Sequence, residues 1–454
     1  MRTCDIVIAG GGTAGLYAAY LLAKLGFSVT VIEQKPLDKL FKVTGDAIGK
    51  HHIEQHIPDV EQEVFVNYYR GALVISPEED VVIEVPGEGY ALDVHKWLTH
   101  LAKRALNAGA EILDQASAVK PIFENGEVRG IVVQRRDGTR LEIQAKVTID
   151  ATGASGAIRT KLPQNIPVSE PLRPEDASYA VREIVELETD IDRKELIRIF
   201  LNQDIAPGGY WWFFPKTSRM ANVGLGIWGK YVKELGYNPN KFYEKLVKTR
   251  SELKNRKVLN SGGGIVPTRR PLDTLVWNRF LAIGDAACAV NPVHGGGLGP
   301  AMLSAKIATE VIAEAYERDE LSARGLWNYN IRYVQAYGLK QAKLDIFRLA
   351  LQHMDNREIE AGLRARLVES SDVLALSSEG SERSLLTRIR MLFKLVRLPL
   401  SLIRKLALAV SYMKKIEELY RQYPREPEGL PQWQIRIRQL YEEYLSKLKA
   451  HSRQ

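Results

Sequence analysis

Three glycines near the start of the chain have the spacing of a phosphate-binding loop. Gly10, Gly12 and Gly15 form G-x-G-x-x-G between an apolar stretch and a helix-like stretch, and Glu33 follows about twenty residues later. Glycine at these places permits a tight turn, lets a pyrophosphate approach backbone N–H groups, and lets the helix pack closely on the strand. A carboxylate at this distance can accept hydrogen bonds from both ribose hydroxyls. The pattern therefore predicts a dinucleotide site.

Two further glycine-rich turns follow apolar stretches. One is DATG at residues 150–153, and the other begins with Gly284 and Asp285 and continues into the loop of residues 295–299. An alanine-rich helix is predicted after this loop, and its positive end would face an anionic group bound there. A glycine-rich crossover in an ordinary α/β domain is the alternative interpretation.

Five aromatic residues stand together in GGYWWFFP, residues 208–215. In a strand, Tyr210, Trp212 and Phe214 would lie on one face, and Trp211 and Phe213 on the other. Because neither face is polar, both must be covered, either by protein or by an apolar ligand. Large rigid rings suit the wall of a tunnel for a long apolar chain. A strand buried by protein on both faces is the alternative.

The apolar periodicity predicts the elements that would position these residues. Residues 4–34 are typical of a βαβ unit, and residues 71–87 of a hairpin. Residues 208–229 indicate two strands around a short polar turn at Lys216 to Arg219. After about residue 339 the pattern is helical, with breaks at prolines.

The composition is that of a globular protein, with 454 residues, 45% of them hydrophobic, and a formal net charge of +8. Cys4 and Cys288 are too few for a disulfide framework, which favours a reducing compartment. No apolar run reaches the roughly 18 residues of a membrane span, and the start of the chain has no secretory pattern. No zinc-finger spacing or RNP-type strand accompanies the positive charge, so nucleic acid is not an expected partner.

The positive charge is concentrated late in the chain. Residues 384–416 contain eight basic residues and no acidic one. A helix would place a mainly basic set on one face, namely Arg390, Lys394, Arg397, Ser401 and Arg404. It would place an apolar set elsewhere, namely Met391, Leu395, Leu402 and Leu406. This predicts an amphipathic segment on an anionic membrane surface, and hence a cytoplasmic protein that is peripheral on the inner face of the membrane. A basic, solvated face packed on the body is the alternative.

The three glycine motifs, in this order, resemble the para-hydroxybenzoate hydroxylase-like superfamily of FAD enzymes. Within it, Tyr210-x-Trp212-x-Phe214-Pro215 resembles the Y-x-W-x-F-P motif of the geranylgeranyl reductases, which saturate prenyl chains. FKVTGDAIGKHHI takes the place of that family's K-x-C-G segment, and the resemblance is greatest for the archaeal membrane-lipid branch. One departure is Thr44, where the family commonly has cysteine, so no role can rest on a thiol there.

The resemblance implies FAD as the cofactor and assigns residues to it. Those implied to contact FAD are Gly10, Gly12, Ala14, Gly15, Glu33, Thr44, Gly45, Ala47, Ala118, Gly284, Asp285, Gly297 and Leu298. Asp285 would contact the ribityl or pyrophosphate part, and the backbone of Gly297 and Leu298 would lie beside the isoalloxazine. Tyr210, Trp212 and Phe214 would bind the substrate, with Tyr210 and Trp212 as catalytic residues.

The implied activity is an FAD-dependent reductase that saturates C=C bonds of geranylgeranyl chains, in archaeal-type membrane lipids or in geranylgeranyl diphosphate. Reduced flavin would deliver a hydride to one alkene carbon, and a proton must reach the other. Tyr210 and a water near His294 are candidate proton donors. No second G-x-G-x-x-G follows a strand, so transiently bound NAD(P)H or a ferredoxin would supply the electrons.

Two other functions compete with this interpretation. One is an oxygen-dependent flavin hydroxylase or halogenase, although the W-x-W-x-I-P motif of halogenases is matched imperfectly because Tyr210 and Phe214 occupy its ends. The other is a flavoprotein that carries prenyl lipid without catalysis. Oxygen-dependent NAD(P)H turnover would favour the first, and retained lipid without hydrogenation would favour the second.

The implied fold class is α/β. A Rossmann-like FAD-binding domain would comprise residues 1–60, 91–160 and 265–340. An antiparallel-sheet substrate domain would be inserted at residues 61–90 and 161–264, and residues 341–454 would form a helical, basic C-terminal region. No metal site is expected. His51, His52 and His56 occur in KHHIEQH, where His52 and His56 share a helix face, but no third ligand motif accompanies them.

Overall fold

The computed structural model describes residues 2–367 and 398–452. The strands are β1 (Arg2–Ala9), β2 (Val29–Ile32), β3 (Ala47–Gly49), β4 (Phe65–Ile75), β5 (Val82–Leu92), β6 (Glu111–Leu113), β7 (Ala116–Glu124), β8 (Glu127–Arg135), β9 (Arg140–Asp150), β10 (Ser178–Glu186), β11 (Leu196–Phe200), β12 (Tyr210–Pro215), β13 (Met220–Trp228), β14 (Lys257–Val266), β15 (Val276–Trp277) and β16 (Phe280–Ala282). The helices are α1 (Thr13–Lys24), α2 (Lys50–His56), α3 (Val94–Asn107), α4 (Gly229–Glu234), α5 (Pro239–Thr249), α6 (Leu298–Glu317), α7 (Asn328–Tyr333), α8 (Leu339–Gln352), α9 (Asn356–Arg364), α10 (Leu400–Arg421) and α11 (Leu430–Ser452). A π-helical turn at Val334–Gly338 joins α7 to α8.

The first sheet has the order β15-β16-β9-β1-β2-β6, and the β7–β8 hairpin extends it from β9. Strand β1 pairs in parallel with both β2 and β9, and β9 pairs in parallel with β16. Ile6, Val7 and Ile8 at its centre are fully buried, because helices cover a parallel sheet on its faces. The carboxyl ends of β1, β9 and β16 lead into the three predicted glycine motifs, which therefore meet at one edge.

The second sheet has the order β14-β10-β13-β12-β11-β4-β5-β3. It is antiparallel except for the β11–β4 pair, which is parallel. Both predicted hairpins form, as β4–β5 and as β12–β13. The α/β fold class with a Rossmann-like part, an antiparallel sheet and C-terminal helices is confirmed. The division into domains stays a prediction, and β3 joins the second sheet although it lies within residues 1–60.

Helices α8, α9, α10 and α11 pack together beyond the two sheets. A buried ion pair joins α9 to α10, with Lys405 Nζ 2.7 Å from the Glu358 carboxylate. Within residues 2–367 and 398–452, no helix is both long enough and apolar enough to cross a membrane. Of the predicted amphipathic segment, Arg390, Lys394 and Arg397, like Met391 and Leu395, lie outside the described residues, whereas Ser401 and Arg404 belong to α10.

Candidate active site

A cavity of about 1310 Å³ runs between the two sheets and the C-terminal helices. Three parts of the chain line it: the glycine motifs at the edge of the first sheet, one face of the second sheet, and α8 to α10. The wall at the first part is mostly backbone and small residues, whereas the wall at the last part is mostly apolar side chains, with Arg348, Gln352 and Glu358 also among its residues. The cavity is therefore polar at one end and mainly apolar at the other.

The first glycine motif requires glycine at two of its positions. Gly10 has φ +110°, and a Cβ there would be 2.4 Å from the carbonyl oxygen of Ala151. A Cβ on Gly15 would be 2.0 Å from the carbonyl oxygen of Gly10, so any side chain would separate α1 from β1. Gly12 is the N-cap of α1 and no side chain caps this helix, which leaves its first backbone N–H groups facing the cavity.

Two carboxylates shape the polar end. Glu33 accepts hydrogen bonds from the backbone N–H groups of Gly11 at 2.9 Å and Lys35 at 2.8 Å. Asp150 is fully buried and accepts from the backbone N–H groups of Thr152 and Arg159, among others, at 2.9 and 2.8 Å. Asp150 thereby stabilises the DATG turn. The sequence alone did not predict this structural role.

The last glycine motif brings a second helix N-terminus to the cavity. Gly284 has φ +59° and lies so close to α1 that a Cβ would be 2.8 Å from the Cβ of Ala14. Asp285 forms an ion pair with Lys42, with 2.9 Å between Oδ2 and Nζ. Helix α6 begins at Leu298, and its N-cap Gly297 offers no side-chain cap.

These features fit FAD. Two helix N-termini without side-chain caps open on one cavity, which suits a pyrophosphate at α1 and the electron-rich edge of a flavin at α6. All but one of the residues predicted to contact FAD line the cavity. The exception is Gly15, which lies at the contact between α1 and β1. The individual cofactor contacts stay predictions.

Tyr210, Trp212 and Phe214 line the cavity from β12, whereas Trp211 and Phe213 lie in a separate core on the other side of the sheet. The Tyr210 hydroxyl donates a hydrogen bond to the carbonyl oxygen of His294 at 2.6 Å. Burial raises the pKa of Tyr210 to about 12. The phenol therefore keeps its proton at neutral pH, next to the glycine loop that precedes α6.

Glycines opposite these rings make room in the cavity. Gly224 and Gly226 of β13 pair with Trp212 and Tyr210. A Cβ on Gly224 would be 2.4 Å from Cζ2 of Trp212, so the indole occupies that space. A Cβ on Gly226 would meet no atom of residues 2–367 and 398–452 within 4 Å. Gly226 therefore forms an open floor beside Tyr210.

The apolar end was not predicted as part of the site. It is built by Phe347, Leu351, Met354, Ile359, Leu402 and Leu406. Helical periodicity in this region indicates that one face of each helix is buried, but it does not indicate what covers that face. Leu402 and Leu406, from the apolar set of the predicted amphipathic segment, are buried and line this cavity.

The helix α2, which carries three histidines, lies near the start of α6. His52 is packed against Gly299, and the rings of His52 and His56 are stacked 6.5 Å apart. Burial lowers the pKa of His52 to about 3 and that of His56 to about 4, so both are neutral at pH 7. In the part of the chain that the structure describes, one cluster has metal-ligand character, namely Glu78, Asp80 and Glu360. The guanidinium of Arg364 contacts all three of these carboxylates.

Sequence reasoning also missed a buried polar group behind Trp212. Lys216, the first residue of the predicted polar turn, is only 9% exposed and forms an ion pair with Asp46. Asn222 is fully buried and accepts a hydrogen bond from the indole N–H of Trp212. The partners of Asn222 are more than 170 residues away along the chain, apart from Trp212 itself, so no local pattern could have indicated them.

Family comparisons agree with this geometry. Residues 5–158 match the FAD dependent oxidoreductases, and residues 176–266 match the geranylgeranyl reductase catalytic domain. The cavity with two open helix N-termini and the first of these matches define an FAD-dependent oxidoreductase. FAD is the cofactor of this class of enzyme.

The chain belongs to the digeranylgeranylglycerophospholipid reductase family, as its relatives show. It is 40% identical to the digeranylgeranylglycerophospholipid reductase of Sulfolobus acidocaldarius over 98% of both chains. It is 32% identical to digeranylgeranylglycerophospholipid reductase 2 of Methanopyrus kandleri, over 82% of this chain and 92% of the relative. The resemblance drawn from Y-x-W-x-F-P is thereby confirmed.

Solved structures share the fold at low identity. A geranylgeranyl bacteriochlorophyll reductase-like protein from Thermoplasma acidophilum superposes with a TM-score of 0.77 at 23% identity, over 86% of this chain and all of that one. The myxobacterial chondrochloren halogenase gives a TM-score of 0.63 at 16% identity, over 77% of this chain and 83% of its own. At these identities the likeness extends to the fold alone.

Proposed function

We propose that the protein saturates the C=C bonds of geranylgeranyl chains carried by archaeal-type glycerophospholipids. One observation supports this above all. A single cavity extends from the glycine loops, past Tyr210, Trp212 and Phe214, to an apolar end between α8 and α10. A prenyl chain needs such an apolar space beside the cofactor loops, and geranylgeranyl diphosphate is the second candidate substrate of the same space.

The polar end of the cavity would hold the cofactor. The N-terminus of α1 would bind the pyrophosphate of FAD, and Asp285 would bind its ribityl or pyrophosphate part in place of the Lys42 contact. Reduced FAD, when bound, supplies the hydride for one alkene carbon. The N-terminus of α6 would stabilise negative charge at the flavin edge that it faces.

The chain's own residues would orient the alkene and supply a proton. Trp212 and Phe214 offer rigid apolar surface that holds a flexible chain and excludes water. The Tyr210 hydroxyl is a candidate proton donor, because its raised pKa of about 12 keeps the proton on the oxygen at neutral pH. Its position beside the open floor at Gly226 supports this role.

Electron supply and location are further parts of the proposal. NAD(P)H that binds transiently, or a ferredoxin, would reduce the flavin. The lipid substrate calls for contact with a membrane, and α10 has the exposed residues Leu400 and Arg404 near its start. We infer a cytoplasmic protein that contacts the inner membrane face through the basic C-terminal region.

The direct test uses the purified protein with FAD bound. The flavin is reduced with dithionite under anaerobic conditions, and geranylgeranyl lipid is added. The mass of the lipid product is then measured by mass spectrometry. We expect the flavin absorbance to return and the lipid to gain about two mass units per double bond reduced. Bound lipid of unchanged mass would indicate a carrier, and oxygen-dependent NAD(P)H consumption without alkene reduction would indicate a hydroxylase or halogenase.

A further inference from the structure

The segment predicted to contact FAD and the strand predicted to contact the prenyl chain are joined by one side chain. Asn222 lies on β13 opposite Phe214 and is fully buried. Its Oδ1 accepts from the indole N–H of Trp212 at 2.9 Å. Its Nδ2 donates to the carbonyl oxygen of Thr44 at 3.0 Å and to Oδ2 of Asp46 at 3.0 Å.

The orientation of this amide follows from its partners. An indole N–H can only donate, whereas a carbonyl oxygen and a carboxylate oxygen can only accept. The oxygen of Asn222 must therefore face Trp212, and the nitrogen must face Thr44 and Asp46. No other side chain of similar size offers one acceptor and two donors in this arrangement, except the longer glutamine.

An ion pair holds the other side of the same group. Asp46 has φ +62° and is 4% exposed, and its Oδ2 is 2.8 Å from Nζ of Lys216. Lys216 also donates to the carbonyl oxygen of Leu92 at 2.8 Å, and the Leu92 N–H donates to the carbonyl oxygen of Asp46 at 2.8 Å. A buried carboxylate that loses such partners is left uncompensated. Removal of one member of this group should therefore destabilise the positions of the others.

We propose that Asn222, Asp46 and Lys216 are positioning residues that fix the Trp212 indole relative to the Thr44–Ala47 segment. This rests on the proposed function, because it assigns the group to the gap in which the alkene meets the flavin. A hydride moves only between atoms in near contact, so a displacement of about 1 Å between these two walls would slow the transfer strongly. The group acts through Trp212 and the backbone, without touching substrate.

The test compares two buried asparagines. Asn222→Leu removes the three hydrogen bonds at similar volume. The matched control is Asn330→Leu, because Asn330 is 1% exposed, accepts from the Leu275 N–H, donates to Thr274, and does not line the cavity. Both substitutions leave buried polar partners unsatisfied, so both should lower overall stability.

Two measurements separate positioning from stability. In the FAD-free proteins, hydrogen exchange of the Asp46 and Leu92 amides should speed up at least about tenfold in Asn222→Leu and not in Asn330→Leu. In the reduced FAD-bound proteins, reoxidation by geranylgeranyl lipid should slow at least about tenfold in Asn222→Leu, while reoxidation by dioxygen changes less than about twofold.

Charge substitutions at Asn222 and Asp46 provide a second test of the proposal if the Asn222→Leu variant fails to fold. Asn222→Asp places two carboxylates side by side and should abolish the lipid reaction. Adding Asp46→Asn restores one carboxylate and one amide, so the double variant should recover at least about tenfold in lipid-driven reoxidation over Asn222→Asp alone.

The proposal is overturned if Asn222→Leu slows both reoxidation reactions equally, if amide exchange at Asp46 is unchanged, or if the double variant recovers nothing. Failure of the proposed function would look different. In that case the unaltered protein itself would show no reoxidation by lipid, while the exchange rates would still report whether Asn222 holds the segment.

Discussion

The two faces of β12 use the same kinds of side chain in different ways. On the outer face, Trp211 stacks on Phe200 with ring centroids 3.5 Å apart, and the Arg250 guanidinium lies 4.6 Å from its ring. On the inner face, Trp212 lines the cavity next to Tyr210 and Phe214. Both tryptophans are buried, at 1% and 8% exposure, so burial alone does not separate them.

Hydrogen bonding does separate the two. Among the residues that the structure describes, the indole N–H of Trp211 has no hydrogen-bond partner, whereas that of Trp212 donates to Asn222. Trp211 is therefore held by close packing, and Trp212 by a directional contact that leaves one side of its ring open to the cavity. The comparison indicates that the outer face contributes stability and that the inner face is shaped for a ligand.

The largest expected effect is on the outer face. Trp211→Ala removes a ring from a closed core and should lower the free energy of unfolding by about 3–5 kcal/mol. Denaturant unfolding of the FAD-bound protein measures this. The molecules that remain folded should still react with geranylgeranyl lipid at the original rate, and a selective loss of that reaction would break the distinction between the faces.

Trp212→Ala tests the inner face. Lipid-driven reoxidation of the reduced flavin should fall about 10- to 100-fold, because the alkene loses a rigid wall, while bound FAD is retained. Rapid-mixing absorbance and the flavin content of the purified protein report the two quantities. Loss of FAD instead would assign this tryptophan to the cofactor site.

Gly226 offers a finer test of the open floor. Gly226→Val directs a branched side chain into space that a Cβ would enter freely, and Gly226→Ala is the matched control. The valine variant should slow reduction of full-length geranylgeranyl chains about tenfold through steric exclusion, and the alanine variant much less. Rapid-mixing absorbance of the flavin during reoxidation by geranylgeranyl lipid measures the change, and equal rates in the valine and alanine variants would contradict it.

The smallest effect concerns pH. Since burial raises the pKa of Tyr210 to about 12, its hydroxyl stays protonated up to the region of that value and loses its proton only above it. If Tyr210 supplies the proton, lipid-driven reoxidation should vary less than about twofold between pH 7 and 10. A fall centred near the ordinary tyrosine pKa of about 10 would show that the phenol is less buried than its place on the inner face requires.

Local patterns made much of the fold predictable. The glycine spacing around Gly10 and the alternation from Tyr210 to Phe214 each arise within a few residues, so each is visible in the sequence. Periodicity also predicted both hairpins of the second sheet. The meeting of three glycine motifs followed from a family resemblance, because strand order is not a local property.

The remaining parts of the site depend on contacts between distant segments. Lys216 belongs to a turn by its neighbours in sequence, yet the fold buries it against Asp46, 170 residues earlier. The helices α8 to α10 carry apolar stripes that fit any partner surface equally well. Charge and periodicity identify such residues as polar or apolar, and only the tertiary arrangement gives them a place in the cavity.

The apolar end of the cavity has a consequence for biosynthesis. Leu402 and Leu406 complete its wall, so roughly nine-tenths of the chain must leave the ribosome before the chamber can close. Until then the aromatic side chains of β12 that line the cavity are uncovered. Exposed apolar surface of this kind promotes association with other apolar surfaces. A truncated product that ends before α8 would therefore expose apolar surface that chaperones bind, and it would be inactive.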